Sequence, residues 1–591
     1  MNSNKKSLIY IFTSEGNSNM FDFVPIQDPL NDDETLRRAR RHISFLRTWN
    51  KMECFYPEAL QPNSTEMCEF VRNNPSCTYF VYYIDYLKLL FCTFNLNWDS
   101  CYVFMVALIF VMLYFVLYMI IKYFCLPNFM AMMEMLPISS YTYSFVYFGS
   151  CLFVPDYLNF WLSCPYETVN VASLMFTKAV GDILRFFLLG MMMLCINGYH
   201  VRSVLWWGNM SFILIGYVYL FMVVRLKYDL FGAFDLAYDN AHLMTLNAWA
   251  FLFVFNLVLL LSILLSYHKR RRQLKKTISK ESSDSKDISS PASEMEDVGK
   301  PPLRDDLNKF QIWWGTVNGY ANMKEHHKII VICFTPLYFL LANIVPVINK
   351  KRPMYGWCKP VNCVSFLVFP IIFINLMPDP KAWFGVFVIS WIMAFMVYIS
   401  THSLREPSRA ALCVYSIVGM VVCSVSMQCL IGEIDNLAWQ YFSMRFHGMS
   451  DLICLMFFSS GEMLCATVFL HHLIAHNLND AAYGAVMSLI THTVYTALPL
   501  LVLHNCYTPN TYIMETAKSE TCFNFFLVIF FGTLFHVSMS ANEFRMSLFY
   551  YLLIFCSSFI VFQMAAYREW VHPFGALHTI QPPRETRRHW A

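Results

Sequence analysis

Charge is what this sequence has least of. Asp, Glu, Lys and Arg make up 14% of it, against about 25% in soluble proteins, which excludes an ordinary soluble globular chain. The formal net charge of +3 is too small a positive excess to attract nucleic acid. The alternation of polar and apolar residues that a membrane barrel requires is absent. A clear targeting segment is absent too. The apolar run Leu8 to Phe12 is too short for a signal core, and Thr13 to Asn19 after it is polar. The basic run Arg37 to His42 follows Asp32, Asp33 and Glu34, so it does not form a clean mitochondrial presequence.

What is present is apolar length. The chain is 57% hydrophobic and rich in Phe, Tyr and Met. Runs of this kind satisfy their backbone polar groups internally, as helices, when lipid surrounds them. The sequence therefore predicts an all-α multi-pass membrane protein with the lipid bilayer as its first partner. Apolar spans fall at about 102–124, 141–164, 172–197, 205–225 and 246–267. After a polar stretch at 268–326, more lie near 327–348, 361–377, 382–400, 411–432, 449–470, 481–504, 522–541 and 545–566.

The polar stretch opens with Lys269-Arg270-Arg271-Arg272 and Lys275-Lys276, then turns Ser-, Lys- and Glu-rich. Its composition predicts disorder. Its positive charge places it on the cytosolic face, or the matrix face of a mitochondrial membrane. Five spans earlier, the N-terminus lies on the opposite side. Thr277 and Ser279 beside the basic run are candidate phosphorylation sites, where added negative charge would change contact with lipid; an unmodified solvated linker is the plainer alternative.

Twenty cysteines do not make a disulfide framework, because most lie in apolar spans. Cys54, Cys68, Cys77 and Cys92 precede the first span in a polar stretch and are the candidates for disulfides. Asn63-Ser64-Thr65 nearby fits a glycosylation acceptor.

Two look-alike segments stand out. Phe148-Gly149-Ser150-Cys151-Leu152-Phe153-Val154-Pro155-Asp156 and Phe457-Phe458-Ser459-Ser460-Gly461-Glu462 each set an acid beside Gly or Pro within an apolar stretch. An intramembrane acid points to function, and two in corresponding places point to a transporter built from inverted repeats. If 141–164 and 449–470 run in opposite directions, one segment between 268 and 410 does not cross. Segment 327–348, with Pro336 and Pro346, is the choice, giving about 12 spans. Each acid is either an ion or proton site or a protonated, hydrogen-bonded inheritance.

Other polar residues have plainer readings. Asp182 and Arg185 are spaced as an internal pair, with Lys178 a further partner one turn earlier. His472 and His476 share a helical face that suits a metal, next to His471, but no third ligand is evident. A lone His acting as base would make an enzyme, and no polar partner for it is visible. Met191-Met192-Met193 reads as packing.

Longer patterns carry a resemblance. They are Cys68-Glu69-Phe70-Val71-Arg72-Asn73-Asn74-Pro75-Ser76-Cys77, Tyr83-Ile84-Asp85-Tyr86-Leu87 with Phe91-Cys92, Phe124-Cys125-Leu126-Pro127-Asn128, and Lys359-Pro360-Val361-Asn362-Cys363. With these the chain resembles the mitochondrial sodium/calcium (lithium) exchanger branch of the cation/Ca2+ exchanger superfamily, over about residues 54 to 566. The resemblance implies two inverted five-helix repeats. The domains would be an N-terminal polar region with the Cys motif (1–101), a first membrane repeat (102–267), a regulatory loop (268–326), linker segments (327–410), a second repeat (411–566) and a tail (567–591). It implies a secondary transporter rather than an enzyme, with no cofactor, moving Ca2+ against Na+ (or Li+). The mitochondrial inner membrane follows from the resemblance, with the plasma membrane or another internal membrane as alternatives. Homo- or hetero-oligomers with related exchangers are the expected protein partners.

The family's ion-site motifs are degenerate here. Gly-Asn-Gly-x-Pro-Asp is matched by Cys151, Leu152, Phe153, Val154, Pro155 and Asp156. Gly-Asn-Ser-x-Gly-Asp is matched by Phe457, Phe458, Ser459, Ser460, Gly461 and Glu462. Asp480 stands at a family Ser, and Glu433 with Asn436 matches a Glu-x-x-Asn pattern. The expected ion ligands are Asp156, Glu462, Ser459 and Asp480. Both Asn ligands are lost, to Leu152 and Phe458. Ca2+ wants six to eight oxygens, so the loss also favours an alternative: a non-transporting paralogue that acts through assembly with an active exchanger.

Overall fold

In the computed structural model, the described residues are 64–74, 77, 83–95, 100–153, 171–229, 237–284, 334–349, 355, 357, 359–373, 380–401, 407–445, 459–507, 517–568 and 570–572. All named elements among them are helical, and eight helices are long and apolar enough to cross a membrane. The chain is an all-α multi-pass membrane protein.

A short helix α1 (Ser64–Asn73) precedes the first span. A disulfide joins Cys68 to Cys92 in the π-turn Lys88–Thr93. Cys77 is also disulfide-bonded, while Cys54 lies outside the described residues. Of the Glu-x-x-Asn pair, Glu433 accepts from the Tyr83 and Ile84 amides at 2.6 and 3.2 Å, and Asn436 donates to the Ile84 carbonyl at 3.0 Å. That pair therefore docks the N-terminal cap onto a later helix.

The first span is α2 (Ser100–Met119), a π-helical turn (Ile120–Cys125) and α3 (Leu126–Met135). Pro127 explains the widening, since its ring removes a donor and crowds the preceding turn. Asn128, fully buried, fixes α3 to the distant segment 345–348. Its Nδ2 donates to the Pro346 carbonyl at 2.8 Å, and its Oδ1 accepts from the Ile348 amide at 2.8 Å.

Next come α4 (Ser140–Tyr147) with a π-turn (Phe148–Phe153), α5 (Val171–Ile196), α6 (Ser203–Asp229) and α7 (Ala237–Asp284). Helix α7 corrects one expectation. It runs on through the basic stretch to Asp284, where composition predicted disorder from 268. Lys, Arg and Gln are good helix formers, and a helix already nucleated in the membrane extends through them at little cost. Thr277 and Ser279 lie on this helical extension.

The short α8 (Thr335–Ile344) is ten residues, about 15 Å, half of a hydrocarbon core of about 30 Å. Then follow α9 (Lys359–Val368), α10 (Pro380–Ser400) and α11 (Arg409–Arg445). Lys359 Nζ donates to the Thr401 carbonyl at 2.8 Å, which brings the start of α9 to the end of α10. The second half holds α12 (Ser460–Ala475), α13 (Asn479–His492) with a π-turn (Thr493–Ala497), α14 (Leu498–Tyr507), α15 (Ala517–Met539) and α16 (Met546–Tyr567).

Burial separates centre from periphery. From Ala481 onward helix α13 is buried on every side, packed on α4 and α5, whereas α7, α10 and α16 present large apolar side chains outward. A helix apolar all round is a core or lipid-facing element, and sequence alone does not tell the two apart. The inner group, α4, α5, α12 and α13, unites residues from both halves of the chain.

Candidate functional site

The site begins where α12 begins. Ser459 precedes the helix with an unhelical backbone (φ −116°, ψ 31°) and makes no side-chain cap of its own. The cap comes from α11: Asp435 Oδ1 accepts from the Gly461 amide at 2.9 Å and the Ser460 hydroxyl at 3.3 Å. A carboxylate there satisfies helix donors that would otherwise be orphaned. Gly461 is required by close approach. A Cβ would lie 2.8 Å from the Ile431 carbonyl oxygen and 3.0 Å from its Cα.

Glu462 follows in the first turn, buried. Its Oε1 lies 3.0 Å from the Lys178 ammonium of α5, both side chains at most 4% exposed. One turn along α5, Asp182 is fully buried, 3.7 Å from Lys178 and paired with Arg185. The expected Asp182–Arg185 pair thus exists, and Lys178 bridges it to Glu462. A buried charge is tolerated when paired, and here α5 and α12 each supply what the other needs. The Ser459 hydroxyl is buried and has no hydrogen-bond partner among the described residues.

The other expected ligands are distributed differently. Asp156, Phe457 and Phe458 lie outside the described residues. Cys151, Leu152 and Phe153 continue α4 as a π-turn rather than opening it, up to residue 153. Bulky residues in place of glycines keep the backbone in helical winding, and π-turns recur at functional sites.

Asp480 is a correction. It sits in the first turn of α13, beyond the far end of α12 from Glu462, and is exposed. At 1.5 Å per residue, the rest of α12 separates the two acids by about 20 Å, so Asp480 is not a joint ligand with Glu462. It accepts instead from the Tyr199 hydroxyl at 2.6 Å. Burial, with the Asp480 carboxylate second, holds that hydroxyl well above the usual tyrosine range, so it remains a donor.

His492 escaped the sequence reading. Its ring stacks edge-on with Phe255 at 4.8 Å and lies against Gly149 so closely that a Cβ there would fall 1.9 Å from Cε1. The signal was Thr491-His492-Thr493, three polar residues inside an apolar span, and Gly149 makes room for that ring.

His472 and His476 line a cavity of about 480 Å³ with Lys122 and Glu134, and the Tyr118 ring packs on His472 at 5.8 Å. Among the described residues no cluster of three or more His, Cys, Asp or Glu is placed to hold a metal.

This arrangement defines a helical membrane protein with a cluster of acidic and basic side chains buried between its two halves. Comparison with known proteins then gives a particular likeness. The chain is 23% identical over 381 residues to the "Mitochondrial sodium/calcium exchanger protein" of Mus musculus, across 59% of this chain and 61% of that relative. It therefore spans less than two thirds of the relative's length. No protein-family model matches, and no solved structure does.

Proposed function

We propose that this chain is a secondary cation antiporter working by alternating access through the Glu462 site, exchanging calcium or another cation against sodium (or lithium). One observation supports it above the rest. A buried carboxylate sits in the first turn of a helix that begins beside a Ser459 hydroxyl with no partner among the described residues, against a helix from the other half of the chain. Acids at such depth are costly and are kept where ions pass, and half-helix ends at a repeat interface are where transporters hold their ions. The ions come from the name of the mouse relative and from the sequence resemblance. Asp156 would be the counterpart acid of the first repeat, and the mitochondrial inner membrane the site of action.

The test is flux in proteoliposomes of the full chain. Sodium-gradient-dependent 45Ca2+ uptake, or 22Na+ exchange, should occur with the wild type and be lost in folded Glu462→Gln. Flux unchanged by that substitution would remove Glu462 from the path.

A second reading is a non-transporting paralogue that assembles with an active exchanger. Leu152 and Phe458 at the two Asn positions favour it. Under this reading no cation moves in either protein, and the chain co-purifies with a related exchanger.

A further inference from the structure

The pairing of Lys178 with Glu462 carries a step beyond cation antiport and rests on that reading of the site. We propose that Lys178 is a tethered cation that occupies the place beside Glu462, so that a small inorganic cation binds there only by displacing it.

The geometry supplies the argument. The ammonium lies 3.0 Å from Glu462 Oε1, and both side chains are nearly inaccessible. The carboxylate of α12 therefore already faces one full positive charge. An ammonium donates hydrogen bonds through three protons and is compact. It meets the same oxygens that a metal cation would meet. A second cation beside it would suffer repulsion that little water is present to screen.

The tether also has somewhere to go. Asp182, one turn along the same helix, lies 3.7 Å from the same nitrogen. A small rotation of the lysine toward Asp182 exchanges one carboxylate for another without leaving the charge unpaired. Arg185 already engages Asp182 from the far side, so that second position is the poorer of the two. The ammonium then rests on Glu462 and visits Asp182. When it leaves, the Glu462 oxygen it held is open to a newcomer. One positive charge leaves the carboxylate and one arrives, so the place suits one monovalent cation of the sodium or lithium class.

The experiment reads cation binding directly and does not depend on transport. The full chain in nanodiscs is unfolded thermally in rising NaCl, LiCl or CaCl2, with choline chloride at equal ionic strength as reference. A ligand that binds only the folded state raises the unfolding temperature with its concentration. The wild type is expected to show little cation-specific rise. Lys178→Met, which keeps length and removes charge, should become sodium- or lithium-dependent, with apparent affinity at least tenfold tighter. Adding Glu462→Gln to Lys178→Met should abolish the gain. Lys178→Arg keeps the charge and is expected to stay cation-insensitive, so it serves if the Met variant does not fold.

Wild-type cation dependence equal to that of Lys178→Met would overturn the proposal, as would an Arg variant that gains it. The two readings fail separately. A wild type without flux, but with binding gained in Lys178→Met, removes transport and keeps the tethered cation. Wild-type flux left unchanged in rate and affinity by Lys178→Met keeps transport and removes the tethered cation.

Discussion

Lys178 and Glu462 are 284 residues apart in the chain, yet their side chains meet at 3.0 Å within the bundle. The contact joins α5 of the first half to α12 of the second. It makes the charge state of the site a property of both halves together.

That dependence is measurable as a coupling. Removing one partner of a buried ion pair costs up to about 3–5 kcal/mol where the other charge is left uncompensated, less where a second carboxylate stands by as Asp182 does for Lys178, and replacing both partners costs less again. Glu462→Gln alone is therefore expected to lower the unfolding temperature of the detergent-solubilised protein markedly. Lys178→Met with Glu462→Gln should restore most of it. Additive losses would show that the two side chains do not act as a pair.

Asn128 is expected to behave as a fastener. Asn128→Leu keeps the volume but leaves the Pro346 carbonyl and the Ile348 amide without their partner. Each buried group so stranded costs about 1–3 kcal/mol. The expected result is lower stability and faster hydrogen exchange at Ile348, with exchange in α13 unchanged at early times. Equal protection of Ile348 in both proteins would refute the assignment.

Gly149 and His492 form a size match. In Gly149→Ala the new methyl would sit on the His492 ring, at 1.9 Å from Cε1. Overpacking of this kind costs about 1–3 kcal/mol. His492→Ala added to it should recover stability relative to Gly149→Ala alone. A well-folded single variant with wild-type stability would mean that the ring moves aside freely.

Sidedness follows from contacts across the bundle. Ser266 of α7 accepts from the Ser139 amide at 2.8 Å, and Asn128 holds Ile348, so the C-terminal part of α7 and residue 349 fall at the α3 end of the first span. Glu433 holds residues 83 and 84 at the other end. Cysteines introduced at Asn349 and Lys276 are therefore expected to react with an impermeant maleimide from one face, and one at Asp85 from the opposite face. Labelling of positions 349 and 276 from opposite faces would rule this arrangement out.

Much of the fold was legible in the chain because lipid imposes a simple rule: an apolar run of sufficient length is a helix. The spans at 102–124, 172–197, 246–267 and 545–566 correspond to α2, α5, α7 and α16. The Asp182–Arg185 pair was legible because it is local, three residues apart on one helix. The extension of α7 through its basic stretch was not, since disorder and solvated helix share a composition rich in Lys, Arg and Glu. Asp480 was misplaced for a related reason. A motif match sets it in register with a family position, but only helix length shows that α12 holds it far from Glu462.

By itself, then, the sequence determined that this is a helical membrane protein with acids buried where acids are costly. Hydropathy and periodicity are local properties, and the bilayer converts them directly into spans. Only the tertiary structure decided which charges face each other: Lys178 against Glu462, Asp435 at the head of α12, Asp480 with Tyr199, His492 over Gly149. Those pairings depend on how separate helices pack, and nothing in the spacing of residues along either helix encodes the distance between them.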